Sequence, residues 1–335
     1  MKKIAVLLIL SLISCDLIAN DGVFYASGNT LIPLAETNIE LKKEILIINK
    51  GNSNNKLERD PINVNIYFEF YNPDNEVERL IGFVTPPAGG VLNDSEAGHP
   101  QIRDFKVSVN NRLIDFKVAR VDSTEFIPII GSSYGQDFIY YFKAKFQKGI
   151  NAIRHSYSYK GSEHADYARP GPDYEYRLTT GKSWANKKID DFELYVNIGN
   201  ETYFSVPYSF QKDNEVGWQI VGIGKLGSVN PDRPMERFVK ISSGYLYYKT
   251  TDFKPDFDLT ITTINPLSEI KEYSDFFYSR RYDKPRKISE FSDYDLRIMR
   301  NSIYAIYGYQ FRSKELLDYF SKYNWYLPDP NIKFD

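Results

Sequence analysis

Two runs in this sequence have the spelling of reactive motifs. Gly131-Ser132-Ser133-Tyr134-Gly135 fits G-x-S-x-G, where a strained strand-to-helix turn exposes a serine oxygen and helix-start N–H groups form an oxyanion site. A strand over 126–130 precedes it, but Phe138 to Phe146 alternates like a second strand. The required helix is therefore missing, and Ser133 reads as structural. Gly222-Ile223-Gly224-Lys225-Leu226-Gly227 matches the dinucleotide fingerprint, which needs a helix N-terminus facing a pyrophosphate. The next residues include Pro231 and Pro234 and cannot make that helix, so the run reads as a glycine-rich turn between strands.

The titratable residues are as sparse. The histidines are His99, His155 and His164. Alternation places His155 on one face with Ile153, Tyr157 and Tyr159, as a hydrogen-bonded sheet residue. His164 with Asp166 and a second histidine is a conceivable metal set, but no H-E-x-x-H or comparable spacing exists. No catalytic residue, metal ligand or cofactor is assigned. Arg280, Arg281, Lys284, Arg286 and Lys287 crowd one short segment. Such a cluster reads as a solvated linker, or as a surface for acidic lipid or wall polymer.

Composition removes one function class. The 335 residues carry 42 Lys+Arg against 44 Asp+Glu, a formal charge of −2. Holding phosphates needs a basic surplus or stripe, so nucleic acid is not an expected partner. With 42% hydrophobic residues the chain can bury a core. The 27 Tyr and 22 Phe favour pleated, half-buried surfaces and point to strands.

Lys2-Lys3 followed by apolar Ile4 to Ile13 has the order of an export signal and is too short to span a bilayer. Cys15, the single cysteine, ends Leu12-Ile13-Ser14-Cys15, which is similar to a bacterial lipobox and makes Cys15 a lipidation candidate. Cleavage after Ala19 is the alternative. A signal peptide over 1–19 is expected in either case, with any membrane contact made through a lipid on Cys15. No disulfide is available, so stability must come from packing.

Behind the leader, strand follows strand. In 38–48, Ile39, Leu41, Ile45 and Ile47 are expected on one face. In 62–71, Ile62, Val64, Ile66, Phe68 and Phe70 oppose Asn63, Asn65, Tyr67, Glu69 and Tyr71, a period of two that excludes a helix. Asn110-Asn111 suits a tight hairpin between 105–109 and 113–121. Strands over 138–146, 153–159, 174–178, 192–198, 203–210, 218–223 and 259–264 follow, with a further hairpin about Ser242-Ser243-Gly244. The expected fold is mainly β: two β-sandwich-like domains at 20–125 and 126–267, a basic linker at 268–290, and a small α-helical domain at 291–335.

In that last domain, Ser292 and Asp295 suit a helix start. Leu296, Met299, Ile303, Ile306 and Tyr307 recur on one helical face, and Gly308 ends it. Ser313 opens a second helix carrying Leu316, Phe320 and Tyr323. Below about 40 residues a domain needs a staple or a partner surface. Trp325 and Tyr326 are therefore expected to lid the helix face of Leu296, Ile303 and Phe320, or else to form an exposed interaction platform.

The stretch Leu296 to Phe311, with Leu317, Tyr319-Phe320 and Trp325-Tyr326-Leu327-Pro328, resembles the YARHG domain, an extracellular module of bacteria. Its signature stands here as Tyr304-Ala305-Ile306-Tyr307-Gly308, with Ile306 and Tyr307 in place of arginine and histidine. The resemblance implies association with exported lipoproteins or peptidases and brings no established activity. The body, through Asn20-Asp21-Gly22-Val23, Asn72 and Tyr176 to Trp184, is similar to a family of exported bacterial proteins without an assigned function. Together these features lead to an exported cell-envelope protein that binds or scaffolds envelope polymer or protein. The alternatives are an envelope-polymer hydrolase and an exported receptor for a sugar or peptide. Its location is periplasmic, membrane-anchored or extracellular.

Overall fold

A computed structural model describes residues 30–34, 37–52, 60–85, 100–126, 137–161, 172–200, 202–212, 214–230, 233–277 and 285–334. The segment expected as an export signal (with Cys15), the Ser133 motif, His99, His164, Arg280, Arg281 and Lys284 lie outside the described residues.

The strands of the first half are β1 (Thr30–Pro33), β2 (Glu40–Lys50), β3 (Ile62–Asn72), β4 (Val77–Thr85), β5 (Arg103–Val109), β6 (Arg112–Leu113), β7 (Lys117–Arg120), β8 (Phe138–Phe146) and β9 (Gly149–Tyr159). Those of the second are β10 (Asp173–Tyr176), β11 (Ile189–Asn197), β12 (Thr202–Pro207), β13 (Ser209–Gln211), β14 (Asn214–Glu215), β15 (Gln219–Asn230), β16 (Arg233–Phe253) and β17 (Leu259–Ile264). Helices follow: α1 (Pro266–Glu269), α2 (Lys271–Phe277), α3 (Asp293–Ile306) and α4 (Lys314–Phe320). The chain is mainly β with a small helical C-terminal region.

An eleven-stranded sheet runs β10-β17-β12-β16-β11-β2-β3-β9-β5-β6, with β15 also on β16. A four-stranded sheet, β1-β4-β8-β7, lies against it. Phe83 and His155 pack with ring centroids 5.0 Å apart, and Phe105 and Tyr140 at 4.5 Å, which joins the two layers into a sandwich. The units expected at 20–125 and 126–267 interleave within these sheets: β4 pairs with β8, β3 with β9, and β2 lies parallel to β11. One core cluster holds residues of both. Alternation tells which face a strand buries, not which strand becomes its neighbour.

The long sheet curls. Tyr159 of β9 donates its hydroxyl to the carbonyl of Glu175 at 3.1 Å, so edge strand β10 closes over the inner face of strands far along the order. On the opposite side of β12 and β16, Tyr203 and Phe238 receive the helices, whose Ile298, Ala305, Leu316 and Phe320 form a second core with Trp325. The segment expected as a linker contributes here too: the end of α1 and all of α2 lie within it and Ile270 is fully buried.

Four local expectations are corrected. In β2, Leu41 pairs with Phe70 and Lys43 with Glu69, so Lys42 is an extra residue. That bulge inverts the alternation: Leu41, Glu44, Leu46 and Ile48 are buried, while Ile45 and Ile47 turn to the outer face. The Asn110-Asn111 turn forms, with φ of 49° and 65°, but its second arm stops at Leu113, and β7 joins the smaller sheet.

Ser242 to Gly244 is not a turn. It lies within the 21-residue strand β16, where Gly244 pairs with Gly222 of β15. A Cβ on Gly244 would stand 2.0 Å from the Val221 carbonyl oxygen, and one on Gly222 2.3 Å from that of Ser243. The dinucleotide-like glycines are thus strand residues that let two backbones meet, not a turn.

The fourth correction concerns α3. Its start is as expected: Ser292 Oγ accepts from Asp295 N at 3.1 Å, and Asp295 Oδ2 accepts from Ser292 N at 3.0 Å. Its buried face is rotated, however, to Ile298, Ser302 and Ala305, leaving Ile303 50% and Tyr307 45% exposed. Apolar residues surround this helix. The small Ser302 and Ala305 let the backbone approach its support, which decides the face.

Candidate binding face

The bulge in β2 makes the site. Past Lys42, Ile45 and Ile47 project from the outer face of the long sheet, where Ile45 pairs with Tyr67 and Ile47 with Asn65. On the far side of β3, Tyr67 pairs with Arg154 and Asn65 with Ser156. Strand β5 then adds Lys106 opposite Ser156 and Ser108 opposite Arg154. Leu113, the end of the hairpin, rims the face and is almost wholly exposed. Ile45, Ile47, Tyr67, Leu113, Arg154 and Lys106 line a groove of about 320 Å³.

Its polar groups are held in place. Tyr67 donates its hydroxyl to Glu69 Oε1 at 2.7 Å, which fixes the ring. The Arg154 guanidinium carbon lies 4.7 Å from the centroid of that ring, and Arg154 Nη1 donates to Asn111 Oδ1 at 2.7 Å. Asn111 is available because the hairpin turn sets it at positive φ. Arginine is thus set over an aromatic ring and tethered at one nitrogen, and among the described residues it makes no ion pair with a carboxylate.

Toward β11 and β16 the same face changes character. Lys43 Nζ lies 2.8 Å from Asp191 and 3.1 Å from Glu193, and Lys249 Nζ 3.0 Å from Glu193. Tyr195 donates to Glu193 Oε2 at 2.8 Å. Burial would raise the Glu193 carboxyl, but hydrogen bonds from Tyr195, Lys249 and Lys43 outweigh it and hold the group at about 2. Tyr195 stands 4.9 Å from Tyr247 and 5.6 Å from Tyr245, ring to ring. Here each lysine is matched by carboxylates, and the tyrosines form a neutral aromatic band.

Two titratable groups lie on the inner face. Glu44 accepts a hydrogen bond from the Tyr176 hydroxyl at 2.9 Å, and burial raises its carboxyl to about 8. His155 is boxed by Phe68, Phe83, Phe105 and Phe142, and burial lowers it to about 3. Neither ring nitrogen of His155 has a hydrogen-bond partner, so the expectation of a hydrogen-bonded sheet residue is corrected. Among the described residues no group of three or more His, Cys, Asp or Glu is arranged to hold a metal ion.

The residues singled out by sequence are dispersed. Trp325 is 0% exposed and packs against Tyr203 and Phe320, and Tyr326 is 5% exposed with its hydroxyl on the Tyr309 carbonyl at 2.7 Å. Both are core residues, so the exposed-platform alternative is corrected, and the face they close is that of Ile298 and Ala305. Arg286 lies 4.1 Å over the Phe291 ring and 3.6 Å from Asp275, so it braces its own loop. The Lys287 backbone N–H donates to Glu290 Oε2 at 3.2 Å in a short turn. Sequence reasoning missed Ile45, Ile47 and Arg154. The signal available was Tyr67, correctly placed on the outer side, but the inverted alternation past Lys42 leaves no mark in residue type.

The signature run of the helical domain ends α3 against the sheet. The carbonyl of Ile306 accepts from the Tyr203 hydroxyl and from Lys240 Nζ, the latter at 3.1 Å. Gly308 has φ +83° and closes the helix end.

Among curated proteins no match is found. Among solved structures, a candidate nutrient-binding protein of Legionella pneumophila superposes with a TM-score of 0.56 at 23% identity, covering 92% of this chain and 93% of that one, a likeness of fold. A two-domain M1 zinc metallopeptidase variant bound to L-tryptophan reaches a TM-score of only 0.27 at 9% identity, over 69% of this chain and 44% of that one, and carries no argument. No described helix is long and apolar enough to cross a membrane. Residues 271–335 match the YARHG domain.

Proposed function

We propose that this is an exported cell-envelope protein that binds a small molecule rather than catalysing a reaction, with the outer face of its long sheet as the binding surface. The observation that carries this reading is the groove of Ile45, Ile47 and Tyr67 beside Arg154 and Lys106. Apolar side chains on the solvent side of a sheet, next to polar groups already fixed by their neighbours, are the composition of a ligand site. The YARHG match supports export, since the module it resembles is extracellular. The likeness to a candidate nutrient-binding protein agrees with binding. An export signal at 1–19, with Cys15 as lipid anchor or cleavage after Ala19, belongs to the same proposal.

The test is a thermal-shift screen of the purified chain against sugars, short peptides, amino acids and organic acids. A hit that raises the melting temperature of the parent but not of an Ile45→Asp variant with unchanged melting supports the reading. A hit that shifts both proteins equally places binding elsewhere and overturns it.

A further inference from the structure

Lys106 and Arg154 are diagonal neighbours across β9 and β5, because Lys106 pairs with Ser156 and Arg154 with Ser108. Among the described residues they are the only charged side chains lining the groove, and no carboxylate lines it. Lys43 and Lys249 on the same face are each neutralised by Asp191 and Glu193. Like charges set side by side without a counter-ion repel, and an anion seated between them removes that cost.

Arg154 is prepared for such an anion. One nitrogen is tied to Asn111 and its guanidinium carbon stands 4.7 Å over the Tyr67 ring. A guanidinium fixed in this way keeps donors in its plane, in the fork geometry that fits a carboxylate or phosphate. To one side of this charged edge lie Ile45 and Ile47, with Tyr67 and Asn65 between, and Leu113 rims the other side, so an organic body meets a largely apolar surface. The groove volume of about 320 Å³ lies at the small end of ligand sites and suits a free molecule with one short chain, not a bilayer or a polymer.

We propose that the groove binds a small amphipathic anion: a short apolar body ending in a carboxylate or a phosphate ester. This rests on the reading of the outer face as the binding surface and names the ligand class for it. The charged end is held by Arg154 and Lys106, and the body lies over Ile45, Ile47 and Tyr67.

Isothermal titration of the full chain with octanoate, octyl phosphate, octyltrimethylammonium and octyl glucoside tests the class. The two anions are expected to bind and the cation not. Arg154→Gln and Lys106→Gln, two exposed positions, should each weaken octanoate binding at least tenfold, and Arg154→Lys should fall between parent and Arg154→Gln. Equal binding of the glucoside or the cation, abolished by Ile45→Asp, overturns the anion class while the face remains the site. Binding that ignores Ile45→Asp overturns both. Tighter binding to phosphatidylglycerol vesicles than to octanoate, lost in Arg154→Gln, makes the site a membrane contact and overturns the free-ligand proposal. Absence of binding by all four probes at millimolar concentration also overturns it.

Discussion

The hydroxyl of Tyr176, at the end of edge strand β10, donates to Oε1 of Glu44 in the middle of β2 across 2.9 Å. These strands stand far apart in the order of the sheet, and the bond records its curl. It also satisfies a carboxyl that the bulge at Lys42 turned inward.

That carboxyl ties stability to pH. Burial raises Glu44 to about 8, well above the ordinary carboxylate value it regains on unfolding. Between those values the folded chain holds a proton that the unfolded chain has lost. Glu44 therefore makes stability fall as pH rises, by up to about 1.4 kcal/mol per pH unit, levelling off above about 8. Glu175, raised by burial to about 7, adds a slope of the same sign. Denaturant unfolding of Glu44→Gln from about pH 5 to about pH 9 isolates the Glu44 part. The variant should match the parent at the acid end and gain on it steadily toward the alkaline end. A difference that does not change with pH would show that Glu44 ionises freely in the fold.

His155 is expected to be replaceable. It is enclosed by phenyl rings and its two nitrogens lack partners, an arrangement that costs about 1–3 kcal/mol for a buried polar group. His155→Leu should keep the fold and leave stability unchanged or raised by about 1 kcal/mol, whereas His155→Ala should lose about 2–4 kcal/mol through the cavity it leaves. A Leu variant as unstable as the Ala variant would mean that the imidazole has an important partner.

Gly222 and Gly244 face one another at φ +124° and +97°. Alanine at either should cost at least about 1–3 kcal/mol from the backbone conformation alone, with the clash in addition. Gly217 has nothing within 4 Å of an added Cβ, so Gly217→Ala should stay within about 0.5 kcal/mol of the parent. Thermal melts of the three variants decide whether the glycine-rich run is there for backbone approach.

Trp325→Ala should cost about 3–5 kcal/mol and release the helical domain from β12 and β16, since the indole is fully buried against Tyr203 and Phe320. Circular dichroism should show helix melting ahead of the strands. Unchanged unfolding would remove Trp325 from the core.

What sequence revealed and what it hid follow one physical division. The alternation of 62–71 and the Ser292 capping box are local, and both stand in the structure. The slip at Lys42 is decided by pairing with Phe70 and Glu69, and it reverses Ile45 and Ile47 without any unusual residue nearby. The strand Val77–Thr85 went unforeseen because it neither alternates nor runs unbroken: Glu78 and Arg79 stand near its start and Gly82 interrupts the apolar run over 80–84. The α3 face was missed because Leu296, Ile303 and Tyr307 are as apolar as Ile298 and Ala305, and the sheet beneath made the choice. The groove depends on all three kinds of information at once: strand parity, a bulge, and the neighbour that each strand acquires.

The contact of Tyr203 and Lys240 with the Ile306 carbonyl bears on how the YARHG signature varies. What the sheet grips is a main-chain oxygen, a group that every residue supplies. The side chains at 306 and 307 add to that grip, Ile306 against the helical core and the Tyr307 ring 5.9 Å from Lys240 Nζ, while Ala305 and Gly308 are constrained by close packing and by positive φ. Exchange of arginine and histidine for Ile306 and Tyr307 therefore leaves the main-chain part of the attachment intact. The signature acts here as a hinge pin cast in the backbone, and its lettering can drift as long as the helix stops at the same place.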